Sequence, residues 1–453
     1  MTVATSLDTL ANLERFGIRP GLEAIGALMA ADDHPESAYP GVLVAGTNGK
    51  GSTVAMADHA LRAAGHRVGR YTSPHLVSLR ERIVVDGSQI SPAALEEEAG
   101  AFLARADALV ARGSLATPPT FFEAITAIAL SWFRRCEVDV ALLEVGLGGR
   151  FDATNIVPAR WGVITAIGLD HQAYLGDTLE AIAAEKAGII KSDMTIVTTE
   201  DRPAIRSVLS ETAAARGARW IDAHEGATLI DVDAERVRIA TPAHAYPAVR
   251  LGLAGAHQRV NALGAVRLLE TIDRDGLPVA PSAIIAGLSE VEWAGRLQRV
   301  VFGKRTLWLD AAHNPSAAAA LANHLQASRA APLPVVLAIM DDKDAAGIVR
   351  ALAPVASRFI CTAPATPRAI APERLAGLVT ELAHPTPVLT ASSPVEALGQ
   401  HHPATETLCV TGSIFLVGAV ASGAVGIYAT TVVGQALPDF LKRMARCDFK
   451  GKE

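Results

Sequence analysis

The stretch Val42-Leu43-Val44-Ala45-Gly46-Thr47-Asn48-Gly49-Lys50-Gly51-Ser52-Thr53 decides how the rest of the chain is read. Residues 41–45 form a short apolar run with three β-formers, the pattern of a buried strand. The glycines after it permit a tight turn with backbone N–H groups aimed inward. From Ser52 the sequence reads as a helix that closes at Gly65, a residue type common just past helix C-termini. Strand, glycine loop with a lysine, then helix is the layout of a phosphate cradle. The loop amides and the helix N-terminus favour an anion, and Lys50 adds a point charge for β- and γ-phosphates.

The match to the common phosphate loop is imperfect. That pattern sets a glycine where this chain has Val44, and Ser or Thr after the lysine, where Gly51 stands. Gly46-Thr47-Asn48-Gly49-Lys50-Gly51-Ser52 resembles instead the shorter loop of the Mur ligase superfamily. Lys-Gly-Ser resembles in particular its folylpolyglutamate synthase/dihydrofolate synthase branch. The resemblance implies ATP contacts from Thr47, Asn48, Gly49, Lys50, Gly51 and Ser52.

Bulk properties bound the rest. At 453 residues the chain is too long for one core, and two domains are expected. The net charge is −6 with lysine and arginine scattered, so no nucleic-acid surface is indicated. Cys136, Cys361, Cys409 and Cys447 form no Cys-x-x-Cys pair, and a cytoplasmic setting with free thiols is the simplest expectation. The N-terminal stretch carries Asp8, Glu14 and Arg15 and is not read as a signal peptide. Residues 408–437 contain no charged side chain, long enough to span a bilayer. Glycines break this run, and it ends a strand–helix repeat. A core strand and a buried helix are therefore expected, with no membrane span.

Several strand ends carry polar groups, which is where ligands gather on a parallel sheet. The strand ending at Tyr71 leads into Thr72-Ser73-Pro74-His75. The apolar strand 138–145 carries Glu144 near its C-terminal end, a charge costly to bury unless paired or bound to metal. The strand beginning at Gly162 leads to Asp170-His171. By resemblance, Ser73, Glu144 and His171 hold Mg²⁺. Thr120, Phe122 and Glu123, opening a long apolar helix, resemble a pterin-contacting motif. Phe151, Asp152 and Ala153, after Gly146-Leu147-Gly148-Gly149-Arg150, are assigned by resemblance to the pteroate side. Read by spacing alone, Phe121 and Phe122 are core residues. Glu185-Lys186-Ala187-Gly188 matches the lysine that related ligases carry as a carbamate. Residues 227–249 read as short antiparallel strands. Asn261, in a His-Gln-x-x-Asn motif, is implied to read an adenine edge.

The domain boundary is placed near Trp293. Arg296 matches an ATP-contacting arginine, although Ala294 replaces the usual proline. Strand–helix alternation then restarts, and its first strand leads to Asp310-Ala311-Ala312-His313-Asn314-Pro315. The resemblance gives Asp310 to the ribose, His313 to phosphate, and ATP to a cleft between domains. The reading is thus an α/β chain with three parts. A P-loop-type Mur ligase ATPase domain with a mainly parallel sheet occupies 1–293. A smaller Rossmann-like domain occupies 294–425, and an atypical tail 426–453.

These parts suit ATP-driven amide formation. A carboxylate attacks the γ-phosphorus to give an acyl phosphate, and the amine of L-glutamate displaces phosphate. Lys50, His171 and Lys186 are the candidate catalytic residues. By resemblance the carboxylate belongs to dihydropteroate, to a folate, or to both, and a bifunctional monomeric enzyme is expected. The alternatives are polyglutamylation only, a peptidoglycan-type Mur ligase, and a membrane-tethered nucleotide-binding protein.

Overall fold

Residues Gly41–Ala45 form β1, buried at every position. A strand this apolar requires cover on both faces, which helices flanking a parallel sheet supply. The computed structural model describes residues 5–431 apart from 18, 234–235, 303–304 and 401–406. These fall into two compact units. The first ends at Glu292. The second runs on from Trp293 and includes the short segments 76–78 and 254–256.

The first unit holds an eight-stranded sheet. Its strands are β1, β2 (Val68–Tyr71), β3 (Ile83–Val85), β4 (Ser88–Gln89), β5 (Val140–Glu144), β6 (Trp161–Ile164), β7 (Thr195–Thr198) and β8 (Arg219–Asp222). The order is β4-β3-β2-β5-β1-β6-β7-β8. From β2 to β8 all neighbours are parallel, and β3 and β4 add an antiparallel edge. β1 lies between β5 and β6, so the loops leaving three adjacent strand ends converge. Register sets Val44 beside Glu144, and Ala45 beside Ile164. The helix Phe121–Arg135 packs its buried Ala124, Ile125, Ile128 and Ala129 in the same core as Leu43 and Tyr71.

The helix after β1 runs Lys50–Ala63, so it begins two residues before the expected start. Gly49 explains this, because at φ 93° it takes the left-handed cap position a glycine adopts without strain. Gly51 is helical despite its low propensity because tertiary packing encloses it. Residues 228–250 form the expected antiparallel insert, β9 (Thr228–Asp231), β10 (Arg236–Ala240) and β11 (Ala245–Arg250). Val237, Ile239, Tyr246 and Val249 form its buried face.

The second unit holds β12 (Gln298–Phe302), β13 (Arg305–Leu309), β14 (Leu333–Leu337), β15 (Ala356–Cys361), β16 (Val388–Thr390) and β17 (Thr407–Thr411). Their order is β12-β13-β17-β14-β15-β16, parallel apart from β12. β12 was not anticipated, since an edge strand with exposed positions carries a weak apolar signal. β17 is followed by the helix Ile414–Thr431. Among the described residues no helix is long and apolar enough to cross a membrane. The tail from 432 lies outside the described residues.

Candidate active site

The loop after β1 is fixed by the neighbouring β6 end. The amides of Thr47 and Asn48 donate to the Ala166 carbonyl at 2.8 and 3.3 Å. The Thr47 hydroxyl donates to the Gly168 carbonyl and accepts from the Gly168 amide, both at 3.0 Å. Those two amides are therefore turned toward β6. The candidate cradle is the helix start at Gly49–Ser52, since a helix N-terminus favours an anion. Lys50 Nζ donates to the carbonyls of Gly46 and Thr47 at 3.1 and 3.2 Å, curled over its own loop. Asn261 seals the turn: a Cβ on Gly49 would sit 2.3 Å from Asn261 Oδ1. The Asn261 side chain donates to Gln258 Oε1 at 2.9 Å, and Gln258 donates to Ser52 Oγ at 3.1 Å. The amide that the family motif gives to adenine thus lies against the phosphate loop.

Glu144 ends β5, and it is only 6 % exposed. Its Oε2 accepts from the Ser73 amide at 3.3 Å, which brings the segment after β2 to the β5 end. His171 follows the β6 loop with φ 52°, a left-handed conformation uncommon for a side-chain-bearing residue. The Asp170 carboxylate accepts from the His171 amide at 2.9 Å.

Lys186, on the helix Leu179–Ala187, is 5 % exposed. Burial first and the Lys50 charge second lower its pKa to about 7, with Asp170 and Asp152 opposing. The proximity of the Lys50 charge disfavours a second cation at Lys186, so the two side chains titrate against each other. A lysine at about 7 is also substantially neutral near pH 7, as carbamate formation requires.

The second glycine loop folds around Asp152. This buried carboxylate accepts from the amides of Leu147 at 2.8 Å and Thr154 at 3.0 Å, and from the Thr154 hydroxyl at 2.5 Å. Burial raises its pKa, and these bonds partly offset the rise. Phe151 beside it is 48 % exposed, with the Arg150 guanidinium 5.7 Å from its ring centre. Ala153 is buried. Thr120 and Glu123 form a buried capping box. Glu123 Oε2 accepts from the Thr120 amide at 2.7 Å and hydroxyl at 2.8 Å, and Thr120 Oγ1 accepts from the Glu123 amide at 3.2 Å. Phe122 stands 6.2 Å from the Tyr71 ring and against Gly146. Phe121 and Phe122 are partly buried and pack against the core, as spacing alone suggests, and the buried Arg82 guanidinium sits 5.4 Å from the Phe121 ring centre.

In the second unit, Asp310 follows β13 and is buried. Its carboxylate accepts from the amides of Leu297 at 2.8 Å and Ala312 at 2.9 Å. Burial raises its pKa against the opposing charge of Arg296. Arg296 donates to the Gly295 carbonyl at 3.4 Å. His313 Nδ1 lies 2.9 Å from the Ala311 carbonyl, which assigns the proton to that nitrogen. Asn314 caps the helix Pro315–Ala327.

Comparison with known proteins decides the family. Residues 44–269 match the Mur ligase middle domain and residues 295–414 the Mur ligase glutamate ligase domain. A dihydrofolate synthase/folylpolyglutamate synthase of Bacillus subtilis is 36% identical over 351 residues, covering 76% of this chain and 80% of that one. The chain belongs to the dihydrofolate synthase/folylpolyglutamate synthase family of Mur ligases. It is an ATP-dependent amide ligase, and the peptidoglycan-type alternative gives way. A probable bifunctional folylpolyglutamate synthase/dihydropteroate synthase of Haloferax volcanii is 37% identical over 434 residues, 91% of this chain, and the chain spans 49% of its length. The Mycobacterium tuberculosis folylpolyglutamate synthase complexed with ADP and AMPPCP has a TM-score of 0.84 at 33% identity, covering 92% of this chain and 99% of that one. A bifunctional member with Mn, AMPPNP and L-glutamate bound has a TM-score of 0.81 at 30% identity, covering 93% and 98%.

Divalent metal use by this ligase family fits the donor set. Among the described residues no group of three or more His, Cys, Asp or Glu side chains forms a metal cluster. One buried carboxylate, a serine and a histidine suit a hard cation that keeps waters and takes substrate phosphates as ligands. Sequence reasoning missed Gln258, the link between Ser52 and Asn261, although it lies inside the motif read there. It also missed Glu200 and Arg202, which no motif marked.

Proposed function

We propose that this ligase joins L-glutamate to dihydropteroate and also to folates, with Mg²⁺ as its metal. The observation that carries the reading is the convergence of adjacent strand ends. The phosphate loop, the Ser73–Glu144 contact and the His171 segment all lie at the C-terminal ends of β1, β2, β5 and β6.

In this reading the Gly49–Ser52 amides and Lys50 hold the triphosphate, with Thr47 and Asn48 setting the loop's shape. Lys50 swings from its loop carbonyls to the γ-phosphate. Ser73, Glu144 and His171 would hold Mg²⁺, which supplies charge neutralisation of the transferring phosphoryl group. Phe122, Phe151, Asp152 and Ala153 present the pteroate, with Thr120 and Glu123 fixing the helix start beneath Phe122. The buried Asp152 accepts a hydrogen bond from the heterocycle. Asn261 carries the adenine-reading motif of the first unit, and Arg296, Asp310 and His313 carry the nucleotide-contacting motifs of the second. The substrate carboxylate attacks the γ-phosphorus, and the glutamate amine displaces phosphate from the acyl phosphate. Lys186 enters as its carbamate, an anion that its lowered pKa makes accessible at neutral pH.

The test is ADP release from Mg-ATP and L-glutamate with 7,8-dihydropteroate or tetrahydrofolate. Release with both is expected. Release with tetrahydrofolate alone would leave a polyglutamylating enzyme and remove the dihydropteroate activity.

A further inference from the structure

The three residues Ala166-Ile167-Gly168 connect the phosphate loop to His171, and their polar backbone groups, from the Ala166 carbonyl to the Gly168 carbonyl, are held from outside. The Ala166 carbonyl takes the Thr47 and Asn48 amides. The Gly168 amide and carbonyl both bond the Thr47 hydroxyl. Ile167 between them is gripped by an ion pair between the buried Glu200 and the partly exposed Arg202. Glu200 Oε2 accepts from the Ile167 amide at 3.0 Å, and Arg202 Nη2 donates to the Ile167 carbonyl. Glu200 is itself 3 % exposed and accepts from Arg202 Nε at 2.6 Å, Nη2 at 2.7 Å and the Arg202 amide at 3.1 Å.

The residue three positions after Gly168, His171, holds φ 52°, and such conformations persist when the surroundings over-determine them. A carboxylate buried at the end of β7 is also a hazard unless its partner stays in place. The arrangement makes sense as a rigid strut. One end is the phosphate loop, the other the histidine, and Glu200–Arg202 locks the middle.

We propose that Glu200 and Arg202 are positioning residues which, by clamping both polar groups of Ile167, fix the spacing between the phosphate loop and His171. Neither touches substrate. The proposal rests on the metal role given to His171 above. Arg202 is the side chain to change, because its outer part reaches solvent while Glu200 is sealed.

The experiment measures Mn²⁺ affinity by the paramagnetic resonance of free Mn²⁺ with ADP present, alongside fluorescent ADP binding without metal. Arg202→Met should weaken Mn²⁺ binding about tenfold, the usual scale for losing a partner that orients a ligand. Metal-free ADP affinity should stay within about twofold, since the helix N-terminus is untouched. Arg202→Lys should recover part of the loss. A folded Arg202→Met protein with wild-type Mn²⁺ affinity would overturn the proposal. If Arg202→Met does not fold, Arg202→Lys alone carries the test, and an unchanged Mn²⁺ affinity there sinks it. Thr47→Val removes the neighbouring grip on Gly168, so its Mn²⁺ loss should not add to that of Arg202→Lys. Fully additive losses would show two independent sites and no strut. His171→Ala is the control for the underlying assignment. Should it leave Mn²⁺ binding intact, the metal role fails and the proposal with it. Should it abolish binding while Arg202→Met does not weaken it, the clamp alone fails.

Discussion

Two glycine-rich loops leave neighbouring strands of one sheet and end with opposite electrostatics. The first, after β1, runs into the 14-residue helix Lys50–Ala63 and presents its N-terminus with Lys50 beside it. The second, after β5, runs into a four-residue 3₁₀ turn, Ala153–Ile156, wrapped around Asp152. In the first, the positive end of a helix dipole meets the Lys50 charge, a combination that favours an anion. In the second, Asp152 has already taken the amides of Leu147 and Thr154. Glycine content makes both loops tight, but the element that each loop enters sets its charge. One suits an anion, and the other holds a carboxylate in place.

The largest expected effect comes from breaking the first loop. Lys50→Ala should lower the rate of ADP release by about 10²–10³-fold while the melting temperature changes little, the usual scale for one electrostatic stabiliser. Near-normal turnover would remove the phosphate-cradle assignment. Breaking the second loop should act differently. Asp152→Ala strands the buried Thr154 amide and the part-buried Leu147 amide, so chemical denaturation should show a loss of about 2 kcal/mol. The KM for dihydropteroate should rise more than the KM for ATP, and equal rises would erase the distinction between the loops.

A third test concerns how closely the second loop is seated. A Cβ on Gly149 would lie 2.7 Å from the Glu185 carbonyl and 2.8 Å from that of Lys186. Both are backbone atoms of the helix carrying Lys186. Gly149→Ala should therefore cost about 1–3 kcal/mol, measured by the same denaturation. A neutral result would show that the loop can lift away.

Lys186 reports on both loops at once, since Lys50 lowers its pKa and Asp152 raises it. Its folded value of about 7 lies below its ordinary 10.5. Folding thus releases a proton between those values, and this residue's contribution to stability rises with pH across that window. Lys186→Met should flatten that part of the stability–pH profile. Lys50→Ala should move the lower edge of the window up, and Asp152→Asn should move it down. Identical edges in both variants would mean that the loops do not share a field at Lys186.

The fold was largely legible because burial patterns and breakers repeat along the chain. Most parallel strands are short apolar runs followed by helical sequence; β8, with exposed Arg219 and followed by β9, is an exception. The first loop was legible from Gly46 to Ser52. Less legible was which of its amides face the ligand. Thr47 and Asn48 carry the pattern of nucleotide contacts, yet their amides bond Ala166, a partner far along the chain. Thr120 and Glu123 carried a local signal of their own, the Thr-x-x-Glu spacing of a capping box, which the structure displays in full.

By itself the sequence determined the features that are written locally: strand and helix alternation, the glycine–lysine loop, the charged residues at strand ends, and the family these motifs imply. Tertiary structure alone decided how those parts are held. It set Glu144 beside Val44 through strand register, placed Lys186 in a buried field from residues far along the chain, and assembled the Glu200–Arg202 grip on Ile167. The physical reason is that desolvation and hydrogen-bond geometry depend on which atoms are near in space. A residue type and its spacing do not contain that information. A buried carboxylate such as Glu200 looks like any surface glutamate until the β6 and β7 ends close around it.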